Sequence, residues 1–226
     1  MTDLLERQLY TVGEAARLLM LPSSTLRRWL EGFTIGGRTY DPVIRPTPTG
    51  SDIVTWAEFV EAGFLREYRA KRVSLQYLRP VIDEMRKQFK VTYPLAHFKP
   101  LVDTSSRQLV LGIQQAAHLE DELALLVRLP SGQLQWAAAV QAFIDKVEFD
   151  AEGIAERMHP LGKASPVVID PDVTFGVPQV KGIRTEIIAE TYAEAGSWER
   201  VADDWHLSVQ DVQAALQWEL TSRKAA

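Results

Sequence analysis

The chain has 226 residues, 46% of them hydrophobic and 24% charged, with 25 Lys+Arg against 30 Asp+Glu and no Cys. That length can bury the core of one large domain or two small ones. The lack of Cys excludes disulfides and thiolate metal sites and suits a reducing cytoplasm. No apolar run approaches the roughly 18 residues of a membrane span, and the acidic start MTDLLERQLY lacks a basic-then-apolar leader, so a cytoplasmic location is expected.

The net charge of -5 hides an asymmetry. Residues 1–100 hold 15 Lys/Arg against 11 Asp/Glu, and residues 101–226 hold 10 against 19. A basic half and an acidic half fit two surfaces for two partners; the plainer alternative is random variation of surface charge.

In chain order, Thr11 and Glu14 have capping-box spacing and open a helix whose Val12, Ala15, Ala16 and Leu19 share one face. Met20-Leu21-Pro22 breaks it, and Ser23 or Ser24 is expected to cap a second short helix that buries Leu26, Trp29 and Leu30 and ends at Gly32. Two short helices with a tight turn make a helix-turn-helix. Gly36-Gly37 between β-favouring residues predicts a small hairpin, or wing. Thr55 and Glu58 repeat the box before Trp56, Phe59, Val60 and Phe64. Another helix is expected from Ser74, with Pro80 kinking it or limiting its start.

Residues 91–106 look loop-like. Leu123–Leu129 and Gln133–Trp136 predict a hairpin, followed by a helix over Ala137–Ile144 and a strand over Lys146–Phe149. Residues 153–166, with Gly153, Pro160, Gly162 and Pro166, suggest a linker. The last block predicts three helices: one capped by Thr185 and ending at Gly196, one capped by Ser197, and one opened by Ser208 and Asp211.

The second helix carries the strongest chemistry. Ser24, Thr25, Arg27 and Arg28 face outward, opposite Leu26, Trp29 and Leu30. A helix in a major groove needs short polar side chains near its N-terminus and Arg for guanine edges or phosphates. The candidate DNA contacts are Ser23, Ser24, Thr25, Arg27 and Arg28, with Arg38 and Tyr40 of the wing; the bland alternative is a solvated helix. The third C-terminal helix is expected to expose Gln210, Asp211, Gln213, Gln217 and Glu219 with no cation before Arg223. Phosphate contact dominates DNA affinity, so that bundle suits protein contact. Asp170 and Asp172 are read as a turn and a capping acid, and Trp198, Trp205 and Trp218 as core. His97, His118, His159 and His206 are scattered, and phosphate loop and nucleophile elbow are absent. No catalytic, cofactor or metal site is expected, and no enzyme.

The stretch T-V-G-E-A-A-R-L-L-x-L-P-x-S-T-L-R-R-W-x-E-G resembles the MerR-type winged helix-turn-helix, and A-E-F-V-E-A-G-F-L-R-E-Y-R resembles that family's later helices. The block I-D-P-D-V-x-F-G-V-P-Q-V-K-G-I-R-T with A-D-D-W-H-L-S-x-x-D-V-Q-A-A-L looks like a small helix-turn-helix family common in antitoxins, with Val177 and Ile183 where that family has Arg and Thr. Together they resemble atypical VapB-type antitoxins. The resemblance implies a VapC-like toxin, a PIN-domain ribonuclease, as partner, and operator DNA bound by a homodimer. A PIN site is expected to be a carboxylate cluster holding a metal, which a cation can pair with. Lys181, Arg184, Arg223 and Lys224 are the candidate toxin contacts.

The fold expected is mainly α (α+β), with a winged helix-turn-helix over 1–99, a small α/β region over 100–164 and a helix-turn-helix-like bundle over 165–226. Two rivals stand beside the antitoxin reading: a MerR-like ligand-responsive regulator and an adaptor that does not bind DNA.

Overall fold

The computed structural model describes residues 4–69, 75–97, 104–131 and 133–224, with the side chains of 69, 104–106, 223 and 224 outside the description. The chain is mainly helical, and among the described residues its strands form five two-stranded antiparallel ladders.

The N-terminal part opens with β1 (Gln8–Thr11), then α1 (Val12–Leu18) and α2 (Ser23–Glu31), a hairpin of β2 (Phe33–Ile35) and β3 (Arg38–Tyr40), and β4 (Ile53–Thr55), which pairs with β1. The Thr11–Glu14 box forms in both directions, at 3.2 and 2.8 Å. A tight turn through Met20 (φ 53°) separates α1 from α2. The cap expected for α2 does not form: helical geometry starts at Ser23, so extended Pro22 is the N-cap and no side chain caps it.

The hub is α3 (Trp56–Arg69), opened by the Thr55–Glu58 box. Trp56, Ala57, Phe59, Val60, Ala62, Phe64, Leu65 and Tyr68 are buried, and so are Glu58 and Glu61. A helix covered on nearly every side is a central core helix. Trp56 Nε1 donates to Ala155 O at 2.7 Å, and Phe64 meets Phe143 edge-on at 5.2 Å. After it, a 3-10 turn over Leu75–Leu78 leads into α4 (Arg79–Phe89), whose first turn holds Pro80, so the proline marks the start of the α-helix; Ser74, read as the helix start, lies outside the described residues.

The middle region comprises α5 (Thr104–Ala116), hairpin β5 (Leu126–Arg128)–β6 (Leu134–Trp136), α6 (Ala138–Ile144), and β7 (Val147–Phe149) paired with β8 (Ala155–Met158). Two expectations change here. Helix α5 begins inside the stretch that looks loop-like in sequence, and residues 153–166 are no linker. Strand β8 pairs with β7, and Met158 bridges Ile169. Gly and Pro punctuation does not reveal the partner strand that fixes this stretch.

The C-terminal bundle consists of the turn pair β9 (Gln179–Val180)–β10 (Ile183–Arg184) and helices α7 (Thr185–Ala195), α8 (Trp198–Trp205) and α9 (Val209–Lys224). Gly196 ends α7 in the left-handed region (φ 68°) and Ser197 caps α8. Thr185 is the first helical residue, not a cap, and its hydroxyl donates to Glu219 at 2.6 Å. Of the three tryptophans read as core, only Trp218 is. Trp198 and Trp205 are 40% and 36% exposed, leaning on the outer face of α7 through Tyr192 and Thr191. Asp211 and Glu219 are buried rather than displayed, because Asp211 closes the Ser208 cap and binds Lys181, and Glu219 accepts from Thr185. The bundle meets the N-terminal part where α9 lies against α1, where Arg7 binds Asp172 at 2.5 Å, and where Tyr10 OH donates to Gly176 O at 2.7 Å. No helix among the described residues is long and apolar enough to cross a membrane.

Candidate nucleic-acid interface

Helix α2 has two faces. Leu26, Trp29 and Leu30 are buried, Ser23, Ser24, Arg27 and Arg28 are exposed, and Thr25 is half-buried. The structure thus brings five of the seven sequence-derived DNA candidates onto one short surface.

The wing supplies the other two. Gly36 and Gly37 both have positive φ (57° and 76°), the backbone a two-residue hairpin turn needs and which glycine adopts without steric cost. Phe33 faces Tyr40 in register, and their rings stack at 4.8 Å and 14°. Arg28 lies over Phe33 at 5.3 Å and Arg38 over Tyr40 at 5.1 Å. Helix α2 and the β2–β3 hairpin are therefore linked by a ladder of guanidinium, ring, ring and guanidinium. Each cation–ring contact is worth about 0.5–1 kcal/mol at such exposure; its larger consequence is to hold two cations at a fixed separation. Gly32 joins helix to wing with φ 73°, and a Cβ there would collide with Tyr40 O.

Arg27 is engaged differently. Its guanidinium donates to Asp52 at 2.5 Å, with both side chains more than half exposed. A phosphate arriving at Arg27 competes with that carboxylate.

Sequence reasoning missed what anchors this surface from beneath. Arg45 is 2% exposed. Its guanidinium binds Glu58 at 2.7 and 3.1 Å, Glu31, Thr49 Oγ1 at 2.7 Å, Ser51 O at 3.1 Å and Ile53 O at 2.7 Å. Glu31 also accepts from the N–H groups of Thr49 and Gly50 at 2.9 and 2.8 Å. Burial pushes the Glu31 carboxyl up, but the Gly50 N–H and the Arg45 charge outweigh it and hold it below the usual carboxylate range. One buried cation thus ties the C-terminal end of α2, the loop after the wing and the start of α3. Only the Glu58 cap is visible in sequence; nothing local marks Arg45 as interior.

Close by, Glu61 is fully buried on α3. It accepts from Leu95 N–H at 3.0 Å, and its second oxygen has no partner. Burial pushes this carboxyl up to about 8, against the opposing pull of Arg86 and the Leu95 N–H.

Lys181 donates to Asp211 at 2.7 Å, while Arg184, exposed, precedes α7. The side chains of Arg223 and Lys224 lie outside the described residues. Asp170 accepts from the N–H of Asp172 at 2.8 Å, the turn expected there. Among the described residues no group of three or more His, Asp or Glu could hold a metal ion.

Residues 8–82 match the family described as "Putative DNA-binding HTH domain", and residues 167–218 match "Protein of unknown function (DUF433)". Over 222 residues the chain is 33% identical to "Uncharacterized protein Rv2308" of Mycobacterium tuberculosis, covering 96% of this chain and 92% of that protein. It is 26% identical over 225 residues to "Putative antitoxin VapB45" of the same organism, covering 92% of each. The crystal structure of Rv2018 from M. tuberculosis superposes with a TM-score of 0.73 at 26% identity, over 95% of this chain and all of that one. The chain belongs to the family of the M. tuberculosis protein Rv2308, with an N-terminal segment that matches the helix-turn-helix family and a C-terminal segment that matches DUF433.

Proposed function

We propose that this chain is the antitoxin of a type II toxin–antitoxin pair. It acts in the cytoplasm as a homodimer, represses its own operon through α2 and the wing, and neutralises a VapC-like PIN-domain ribonuclease through its C-terminal bundle, with no catalysis of its own. The division into 1–99, 100–164 and 165–226 belongs to this reading.

The observation that carries it is the outer surface of α2, where Arg27 and Arg28 stand beside Ser23, Ser24 and Thr25 and the ladder fixes Arg38 and Tyr40 next to them. Short polar side chains address base edges, and the arginines address phosphates or guanine. The toxin half draws support from the relative whose name reads "Putative antitoxin VapB45" and from the acidic character of residues 101–226. Arg184 and Lys181 beside the Gly182 turn, with Arg223 and Lys224, are the cations proposed for the toxin's carboxylates.

Fluorescence anisotropy on operator DNA tests the first half. Arg27→Ala/Arg28→Ala should weaken binding and lower the salt slope by about 0.9 for each phosphate that the variant no longer neutralises. Unchanged affinity at two salt concentrations removes α2 from the interface. Ribonuclease assays on the product of the adjacent gene test the second half: the parent chain should inhibit it, and a nuclease indifferent to the parent chain rejects the toxin as partner.

A further inference from the structure

The C-terminal bundle carries an open cleft of about 860 Å³ between α7 and α9. Its floor is apolar. Ala189 and Ala193 line the α7 side at i, i+4 spacing, and Leu216 and Leu220 line the α9 side. Leu220 is 64% exposed, and Trp198, stacked on Tyr192, stands at one end with 40% exposure. A cluster of this kind left in water marks a contact surface. The two alanines let a helix backbone approach closely, and the stripe Gln213, Leu216, Gln217, Leu220 at i, i+3, i+4, i+7 is the spacing into which a third helix packs.

The edge of the cleft says what kind of helix. Glu186, Glu190 and Glu194 fall four residues apart on α7, so they form one exposed row along its rim. No described cation pairs with any of them. From residue 185 to 222 the sequence holds eight Asp/Glu and a single cation, Arg200. Nucleic acid and an anionic membrane are repelled by such a rim, and a second copy would bring its own glutamate row against this one. A small molecule would leave most of so open a floor in water. A protein helix with an apolar stripe and a Lys/Arg row along one edge satisfies both the floor and the rim.

We infer that the α7–α9 cleft docks an amphipathic helix of the toxin, its leucine-type stripe on Ala189, Ala193, Leu216 and Leu220 and its basic edge along Glu186, Glu190 and Glu194. In assigning the helix to the toxin, this rests on the antitoxin reading above. It adds a surface that grips the toxin's own cations, separate from the cations proposed for the toxin's carboxylates.

The test uses the full chain and two labelled helical peptides. Both have leucines at i, i+3, i+4, i+7; one has a flanking lysine row and its twin has glutamate there. The lysine peptide should bind the parent, more weakly as salt rises, and Leu220→Glu should weaken it at least tenfold. Glu190→Lys/Glu194→Lys should reverse the preference toward the glutamate peptide. Equal affinity for both peptides, or indifference to Leu220→Glu, overturns the inference. So does a dimer that Leu220→Glu dissolves in sedimentation, because a second copy then fills the cleft. The product of the adjacent gene separates the two proposals. If it binds parent and Leu220→Glu alike, the cleft assignment fails and the antitoxin reading stands. If it binds neither while the lysine peptide binds the parent, the antitoxin reading fails and the chemistry of the cleft is upheld.

Discussion

The helix-turn-helix at one end of the chain and the helical bundle at the other are built alike and place their carboxylates in opposite ways. In the N-terminal part Glu58 and Glu31 are drawn onto the buried Arg45, and Glu61 is buried against the Leu95 N–H. Their withdrawal leaves Arg27, Arg28 and Arg38 to set the character of the outer face. The C-terminal bundle buries Asp211 and Glu219 on internal partners, yet leaves Glu186, Glu190, Glu194, Glu199, Asp203 and Asp204 in water. Net charge per segment therefore understates the contrast at the surface. Acids that hold a scaffold together from inside cease to repel a phosphate outside.

The strongest way to break this comparison is to remove the buried cation. Arg45→Ala leaves Glu58 and Glu31 in a dry site without their counter-charge, and stranding one partner of a buried pair costs about 3–5 kcal/mol. Glu190→Gln, on an exposed ridge, should move stability by no more than about 0.5 kcal/mol. Urea unfolding of both variants is the measurement, and equal losses would mean that the two regions do not use their charges differently.

Glu61 sharpens the same point through pH. Its carboxyl titrates at about 8 in the folded chain, against an ordinary value of 4.5. Between those values the folded protein keeps a proton that the unfolded chain releases. Stability therefore falls as pH rises through this window, and the cost is complete above about 8. Glu61→Gln keeps an acceptor for Leu95 N–H and removes the titration. The gap between variant and parent should widen from pH 5 to pH 8, by at most about 4 kcal/mol at 1.36 kcal/mol per unit. A gap that stays flat with pH would show that Glu61 is not held protonated.

What is legible in the sequence is local. The boxes at Thr11–Glu14, Thr55–Glu58 and Ser208–Asp211 each lie within one helical turn, and all three form. The Gly36–Gly37 hairpin and the buried stripe of α2 are readable for the same reason. Two local readings fail, the caps at Ser23 or Ser24 and at Thr185, where each helix starts earlier than read; the larger misses depend on partners distant in the chain. Strand β8 reads as a linker because β7 and the Trp56 indole hold it. Trp198 and Trp205 read as core because helical spacing cannot tell that Trp218 already fills the centre. The seven DNA candidates are all single positions on the helix and wing, while the ladder joining Arg28 to Arg38 through Phe33 and Tyr40 is a tertiary arrangement.

The smallest expected effect concerns Asp52, which pairs with Arg27 on the exposed face of α2. Asp52 sits 2.5 Å from Arg27, and both side chains are more than half exposed. Such a pair contributes about 0.2–1 kcal/mol to stability, so Asp52→Asn should leave unfolding nearly unchanged. Its effect belongs to binding, because a phosphate must take Arg27 from Asp52 before it can pair with that guanidinium. Removing the charge should tighten operator binding by a few-fold at low salt, with less gain at high salt as screening weakens the competitor. The gain should vanish in an Arg27→Ala background, since Asp52 would then have no guanidinium to withhold. Anisotropy titrations of the two single variants and the double variant close a thermodynamic cycle on this coupling. If Asp52→Asn tightens binding equally with and without Arg27, Asp52 acts only by general repulsion of DNA, and the pair is no gate on the arginine.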